Sequence, residues 1–285
     1  MSWPMRTVRS RRVNSRRCAN DFLDLVYKLR RMGRKRRNVG LNDPAAWVFN
    51  RMADVYDARP AYPEALIEAL ASLAPGPRIA DLGAGIGHLA LPLAERGFEV
   101  VAVEPAEAML QVLRGAARAR GLTLTALHGM AEALPFDAAR FDLVLIADAL
   151  HFIDHERAAT EIRRVLSPRG TLALVTSAFA PTPFMTDVTA LMEETAPRRP
   201  RKVAAARQQL ASLARVELNH VAHFADETEL DYPTLERLLC SVSFIGPALN
   251  PTRFAAFRAR LQALPPPWRW SRAFTLHSGR RSRGA

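Results

Sequence analysis

The run Asp81-Leu82-Gly83-Ala84-Gly85-Ile86-Gly87-His88 is where the chain most openly carries chemistry. Glycines at 83, 85 and 87 remove the Cβ where a backbone turns sharply and where a ligand must come close. A short apolar run (78–82) precedes them and a helical pattern (87–96) follows. The loop therefore falls on a strand-to-helix turn, with the helix N-terminus facing whatever binds there. Glu104 closes the next apolar run, 23 residues after Asp81, at the point where an acid meets the two hydroxyls of a ribose. These features place a nucleoside-containing cofactor at the carboxyl ends of the first two strands.

The glycine spacing narrows the choice of cofactor. A dinucleotide site reads G-x-G-x-x-G and rests a pyrophosphate on the helix N-terminus. Here the glycines read G-x-G-x-G, and an aspartate stands directly before the turn. By charge sign, a carboxylate there suits a cationic amino group better than a diphosphate. That favours S-adenosylmethionine, which carries both an ammonium and a sulfonium, and counts against a nicotinamide-dependent oxidoreductase.

Such a loop needs a sheet behind it, and the surrounding pattern supplies one. Strands are expected at 78–82, 98–103, 122–128, 141–147 and 171–177, with helices at 63–73 (Pro63 in first position), 87–96, 106–119 and 155–166. Strands alternating with helices of this length imply right-handed crossovers and a mainly parallel sheet. Beyond residue 180 the pattern loosens. Helices fit at 183–195, 201–213, 228–240 and 251–263, and two strand-like runs, 216–224 and 271–277, would add to one edge of the sheet. Pro265-Pro266-Pro267 marks a stiff connector before the last of them.

With these residues in view, RIADLGAGIGHLALPLAERGFEVVAVEPAEAML, HGMAEALPF and FDLVLIADALHFIDHERAATEIRRVLSPRGTLALV together resemble the class I S-adenosylmethionine-dependent methyltransferases. The resemblance is firm from about residue 45 to 177 and looser beyond. Val55-Tyr56-Asp57-Ala58-Arg59-Pro60-Ala61-Tyr62-Pro63 looks like the Y-x-x-x-R-P-x-Y-P segment of the type-11 group, which includes trans-aconitate methyltransferase-like small-molecule enzymes. Ser241-Val242-Ser243-Phe244 is similar to a Ser-x-Ser-aromatic motif of that group.

The resemblance implies a Rossmann-like α/β fold. Its seven-stranded sheet would be mainly parallel, with helices on both faces and an antiparallel strand near one edge. It also implies roles for particular residues. Asp81 would sit near the methionine ammonium, with Gly83, Ala84, Gly85 and Gly87 giving backbone room. Glu104 would accept from the ribose, and Pro105 and Met109 would pack near the adenine. Ala131 and Glu132 would cap the adenine edge; this chain has Met130 where many relatives have Asp. Asp148, Ala149 and Leu150 would line the methyl-transfer pocket, and Tyr56, Arg59 and Tyr62 would close over the cofactor. His151, after strand four, is the candidate for proton transfer. The plainer reading is a histidine that packs and orients its loop, since positioning and desolvation carry much of a methyl transfer.

Composition bounds the alternatives. The chain has 285 residues, 49% of them hydrophobic and 24% charged, enough for a packed core of one large domain. No apolar stretch approaches the length needed to span a bilayer, and no secretory h-region is seen near the start, so a cytoplasmic protein is expected. Cys18 and Cys240 cannot build a disulfide framework or a zinc site, and no metal site is expected. His220 and His223 are three apart in a strand-like run and point to opposite faces. His155 reads as a surface residue at a helix start, and Trp3, Trp47, Trp268 and Trp270 as packing residues.

The net charge of +12 is concentrated in the first 40 residues, where 13 Lys/Arg face two acids. The remaining 245 residues are nearly balanced, with 27 basic and 26 acidic side chains. The segment 1–42 is thus expected to be a flexible basic extension. It is open to reading as an arm for nucleic acid or acidic lipid, as a transit peptide, or as a solvated extension of no consequence or an upstream-start artefact. The methyltransferase domain is expected over 43–285, with a cofactor-binding core at 45–178, a helical substrate-shaping region at 180–270 and a last strand at 271–277. The expected acceptor is a small molecule, methylated at oxygen or nitrogen. Alternatives are an RNA methyltransferase using the basic arm and an inactive methyltransferase-like binding protein. Arg198-Arg199-Pro200-Arg201-Lys202 could receive an anionic substrate or simply form a solvated loop. The oligomeric state is left open.

Overall fold

A computed structural model describes residues 48–197 and 202–281. The basic extension over 1–42, Trp3, Trp47 and the arginines at 198, 199 and 201 lie outside those residues.

One seven-stranded sheet organises the described chain, in the order β3-β2-β1-β4-β5-β7-β6. Its strands are β1 (Arg78–Leu82), β2 (Glu99–Glu104), β3 (Thr125–His128), β4 (Phe141–Ala147), β5 (Leu166–Phe179), β6 (His220–Leu230) and β7 (Trp268–Arg280). β1 to β5 run parallel; β7 alone is inserted antiparallel, between β5 and the edge strand β6. The expected Rossmann-like class I architecture is therefore present, with its reversed strand second from the edge.

The helices are α1 (Ala53–Tyr56), α2 (Glu64–Leu73), α3 (Ala90–Glu95), α4 (Glu107–Ala119), α5 (His155–Val165), α6 (Pro183–Thr195), α7 (Val203–Leu213), α8 (Tyr232–Cys240) and α9 (Pro251–Gln262). Alternation along the central strands divides the core in two. Ile79, Leu143 and Leu145 face Leu66, Leu70 and Leu93 of α2 and α3, whereas Ala80, Val144 and Ile146 face Ile162 and Val165 of α5 and Leu210 of α7. Strand β4 (FDLVLIA) is almost wholly buried because helices cover both faces, which explains the continuous apolar run over 143–147. A third apolar cluster joins α6, α8 and α9 to Trp270 on β7.

Several boundaries differ from expectation for identifiable reasons. Pro63 is the cap preceding α2 and not its first residue. α5 stops at Val165, and β5 starts at Leu166 through an irregular Ser167-Pro168-Arg169-Gly170 stretch that shifts register against Phe141 and Leu143. Strand β6 continues through Asp226-Glu227-Thr228-Glu229, residues whose polarity reads as a helix start; an edge strand tolerates them because one side is solvated. The following helix is accordingly shorter than 228–240. It begins at Tyr232, after Asp231 accepts from the Thr234 N–H.

Candidate functional site

The carboxyl ends of β1, β2, β4 and β5 open into a cavity of about 610 Å³, walled on the other side by the 49–62 segment, α8 and the start of β7. Its floor is the glycine loop. The Gly83 and Ala84 N–H groups both donate to the Val103 carbonyl (2.8 and 3.1 Å), tying β1 to β2. Gly83 has φ +78°, and a Cβ there would lie 2.6 Å from the Ala149 Cβ, so only glycine lets the β1 and β4 loops approach this closely. Gly87 behaves differently. It does not line the cavity, and its missing Cβ makes room for Leu113 and Leu91; its part is to seat the loop against α4.

Asp81 ends up 2% exposed, and its Oδ2 has no hydrogen-bond partner among the described residues. Burial first, and then the neighbouring Glu104 charge, push its pKa up to about 7, against a smaller opposing pull from the Ala90 N–H. A buried carboxylate oxygen without a partner, on a cavity wall, could receive a cation. Glu104 is also buried, and its pKa is raised by that burial. Its two oxygens accept from the Gly85 and Ala106 N–H groups, both at 2.8 Å. Each keeps a lone-pair direction for a further donor, so a vicinal diol remains compatible with its position.

The 49–62 segment is fastened from two sides. Arg59 donates from Nε and Nη2 to the Ser241 Oγ (2.9 Å) and carbonyl (2.6 Å), and from Nη1 to the Tyr56 hydroxyl (3.0 Å). It also lies 4.1 Å over the Tyr56 ring. Two motifs 182 residues apart, the Y-x-x-x-R-P-x-Y-P segment and the Ser-x-Ser-aromatic run, are therefore one contact. Arg59 sits on the cavity wall with three of its five N–H donors used in these bonds. Tyr62 donates to the Asp148 Oδ2 (3.1 Å), and burial followed by the Asp148 charge raises its pKa well above the ordinary phenol value, so it stays a donor.

Asp148 has φ +50° and holds three donors, with the Ser177 N–H and Oγ (both 2.7 Å) beside Tyr62. His151 lies in the short 3₁₀ turn Leu150–Phe152, its ring centroid 3.9 Å from that of Phe152, which packs edge-on against Phe49. Ala131 is buried and lines the cavity. Glu132 also lines it, while its Oε1 accepts from the Asp154 N–H and links this loop to the cap of α5. Pro105 and Met109 form the apolar wall beyond Glu104.

Apart from Gly87, every site residue expected from sequence lines this one cavity: Tyr56, Arg59, Tyr62, Asp81, Gly83, Ala84, Gly85, Glu104, Pro105, Met109, Ala131, Glu132, Asp148 and His151. His155 does begin α5, but it is half-buried. Its Nε2 lies 3.0 Å from the Leu150 carbonyl and its Nδ1 3.4 Å from the Gln209 Oε1. His88, Phe179, Trp270 and Arg272 are also on the wall and were not singled out as site residues. Burial lowers the His88 pKa to about 4, and its ring stacks on Tyr56 with centroids 6.2 Å apart. Trp270 does pack, edge-on to Phe179, and that packing pair is itself part of the cavity surface. Nothing local in the sequence marks Arg272, which reaches the site only because β7 pairs with β5.

Residues 80–174 match the methyltransferase domain family. The chain is 47% identical over 128 residues to an uncharacterized methyltransferase of Mycobacterium tuberculosis, a stretch covering 45% of this chain and 51% of that protein. It is 46% identical over 101 residues to a demethylmenaquinone methyltransferase of Thermus thermophilus, covering 34% of this chain and 46% of that one. The chain thus spans about half the length of the curated relatives it matches. Among solved structures, the fold is shared with the YcgJ protein from Bacillus subtilis (20% identity, 78% of this chain and 100% of that one, TM-score 0.53). It is shared as well with the [4+2]-cyclase SpnF (20% identity, 80% and 86%, TM-score 0.51). Among the described residues, no helix is long and apolar enough to cross a membrane.

Proposed function

We propose, from the match of residues 80–174 to the methyltransferase domain family and the fold around them, that the chain transfers a methyl group from S-adenosylmethionine to an oxygen or nitrogen of a small molecule in the cytoplasm. The observation that carries this reading is the buried, unpartnered Asp81 oxygen beside the glycine loop. A carboxylate in that position receives the ammonium of the methionine moiety, and its attraction is strengthened by the dry surroundings. Glu104 would meet the ribose hydroxyls with the lone pairs that Gly85 and Ala106 leave open. Pro105, Met109 and Ala131 would give the adenine an apolar slot.

When bound, S-adenosylmethionine supplies a methyl group already activated by its sulfonium. In the displacement, a lone pair of the acceptor forms the new bond to carbon as the carbon–sulfur bond breaks. The electron pair stays on sulfur, leaving S-adenosylhomocysteine, and the acceptor's proton is released. The protein's work is then to align the acceptor and exclude water. Tyr56, Tyr62 and Arg59 close one side, and Asp148, held rigid by Tyr62 and Ser177, shapes the floor after β4. His151 stands beside that floor and can take the proton from a hydroxyl acceptor; an acceptor that is already an anion needs no base.

The test is incubation of the full chain with methyl-labelled S-adenosylmethionine and panels of phenols, amines and acids, following label transfer and S-adenosylhomocysteine release. Transfer that disappears in Asp81→Asn is the expected result. SpnF, of the same fold, is a cyclase. If S-adenosylmethionine binds and no panel member is methylated, a binding or non-methylating role would replace this reading.

A further inference from the structure

The part of the cavity away from Asp81 and Glu104 has a composition that bears on the acceptor. Phe179, Leu238, Val242, Phe244 and Trp270 line it, all from one apolar cluster. Trp270 and Leu238 are buried, and Phe179 meets Trp270 edge-on at 5.1 Å. Flat, rigid walls of this kind hold an aromatic ring by area and by edge-to-face contact.

The charges on the wall are arranged against an anion. Two arginines line the cavity among its described residues, Arg59 and Arg272, and no lysine does. Arg59 spends three of its five N–H donors on Ser241 and Tyr56, which hold it over the Tyr56 ring. Arg272 is neutralised by a two-point ion pair with Asp226, made through Nε at 2.9 Å and through Nη2, and two further N–H groups serve the Pro60 and Ala61 carbonyls. Both side chains of that pair are largely buried, so neither is readily traded for a ligand. Among the described residues, five carboxyl side chains line the whole cavity, Asp81, Glu104, Glu132, Asp148 and Glu193. Asp148 lies on the floor with its charge held by Tyr62 and Ser177, and Glu193 stands at the exposed rim. Because Asp148 already has three donors, it does not call for a cation either.

Resting on the methyltransferase reading above, we propose that the acceptor half of this cavity takes an uncharged aromatic molecule and discriminates against the same skeleton carrying a carboxylate. An anion entering here loses its hydration, finds Arg272 neutralised by Asp226 and Arg59 held against Ser241 and Tyr56, and faces Asp148. The neutral ring loses little and gains the aromatic wall.

Three naphthalenes test this at neutral pH: 2-naphthol, 2-naphthoate and 2-naphthylmethylammonium, titrated calorimetrically into the full chain with and without S-adenosylhomocysteine. 2-Naphthol is expected to bind at least about tenfold more tightly than either charged analogue. Naphthoate binding as tightly as naphthol would overturn the proposal and return attention to Arg198, Arg199, Arg201 and Lys202 as an anion receptor. Tighter binding of the ammonium would overturn the uncharged class, and no binding of any probe would overturn the aromatic one. A missing S-adenosylhomocysteine signal would count against the methyltransferase reading, while the order of the naphthalenes would still test the cavity. In Phe244→Lys, which places an uncommitted cation on the wall, naphthoate should gain at least about fivefold with S-adenosylhomocysteine affinity unchanged. The wild-type series stands by itself if that variant misfolds.

Discussion

With Asp81 as the proposed ammonium receptor, cofactor affinity should depend on pH. In the ligand-free protein its pKa is near 7, so about half the molecules carry the carboxylate at pH 7 and about 3% at pH 5.5. An ammonium binds the ionised form, so S-adenosylmethionine affinity should fall about fifteenfold between those two pH values, because binding must first remove the proton. Asp81→Asn should flatten that profile. It should also weaken binding at pH 7 by at least about thirtyfold, the equivalent of roughly 2 kcal/mol for a buried charge left without its partner. The same shift has a sign for stability. A carboxyl whose folded pKa exceeds its unfolded value of 3.8 stabilises the fold fully below about pH 4, and that contribution is lost as pH rises through 7. The ligand-free protein should therefore lose up to about 4 kcal/mol from this group between those limits, and S-adenosylmethionine should restore much of it. Calorimetric titration across pH 5.5–7 and thermal melts with and without ligand read both effects. A pH-independent affinity in the wild type, or wild-type affinity in Asp81→Asn, would refute the assignment of Asp81 as the ammonium receptor.

Three further substitutions probe the parts that hold the site. Gly83→Ala should lower the melting temperature and weaken S-adenosylmethionine binding; a left-handed alanine costs about 1–2 kcal/mol before its Cβ meets Ala149, so a neutral outcome in melts and titration would contradict the close approach seen here. Arg59→Ala removes bonds from the 49–62 segment to Ser241, each typically contributing about 1.5–3 kcal/mol when charge-assisted, and should speed amide exchange over 53–60 with cofactor affinity reduced roughly tenfold. Unchanged exchange there would show that the segment is held by packing alone. Asp226→Asn leaves Arg272 with a buried charge facing carbonyls only and should destabilise the protein by about 3 kcal/mol in denaturant unfolding; a loss under about 1 kcal/mol would mean the pair is solvated.

The half of the cavity proposed to hold the cofactor was legible because its residues are local. Three glycines, an acid before them and an acid at the end of the next strand lie within one βαβ unit, and their spacing alone brings them together. Gly87 shows the limit of that reading, since the same residue type serves packing against Leu113 and not ligand approach. The acceptor half was hard to read because it is assembled by pairing over long sequence distance. Arg272 and Trp270 arrive through the β5–β7 and β6–β7 ladders, and Ser241 meets Arg59 from 182 residues away. The edge strand β6 misled in a similar way: its polar second half carries no alternating apolar signal, and only pairing with β7 makes it a strand.

The central claim, a live S-adenosylmethionine site built on Asp81 and the glycine loop, is tested most directly by calorimetric titration of S-adenosylmethionine and S-adenosylhomocysteine into the full chain and into Asp81→Asn. The account predicts micromolar binding of both ligands to the wild type and a large loss of both in the variant. Absence of binding in a wild-type protein whose fold is verified by circular dichroism would contradict it.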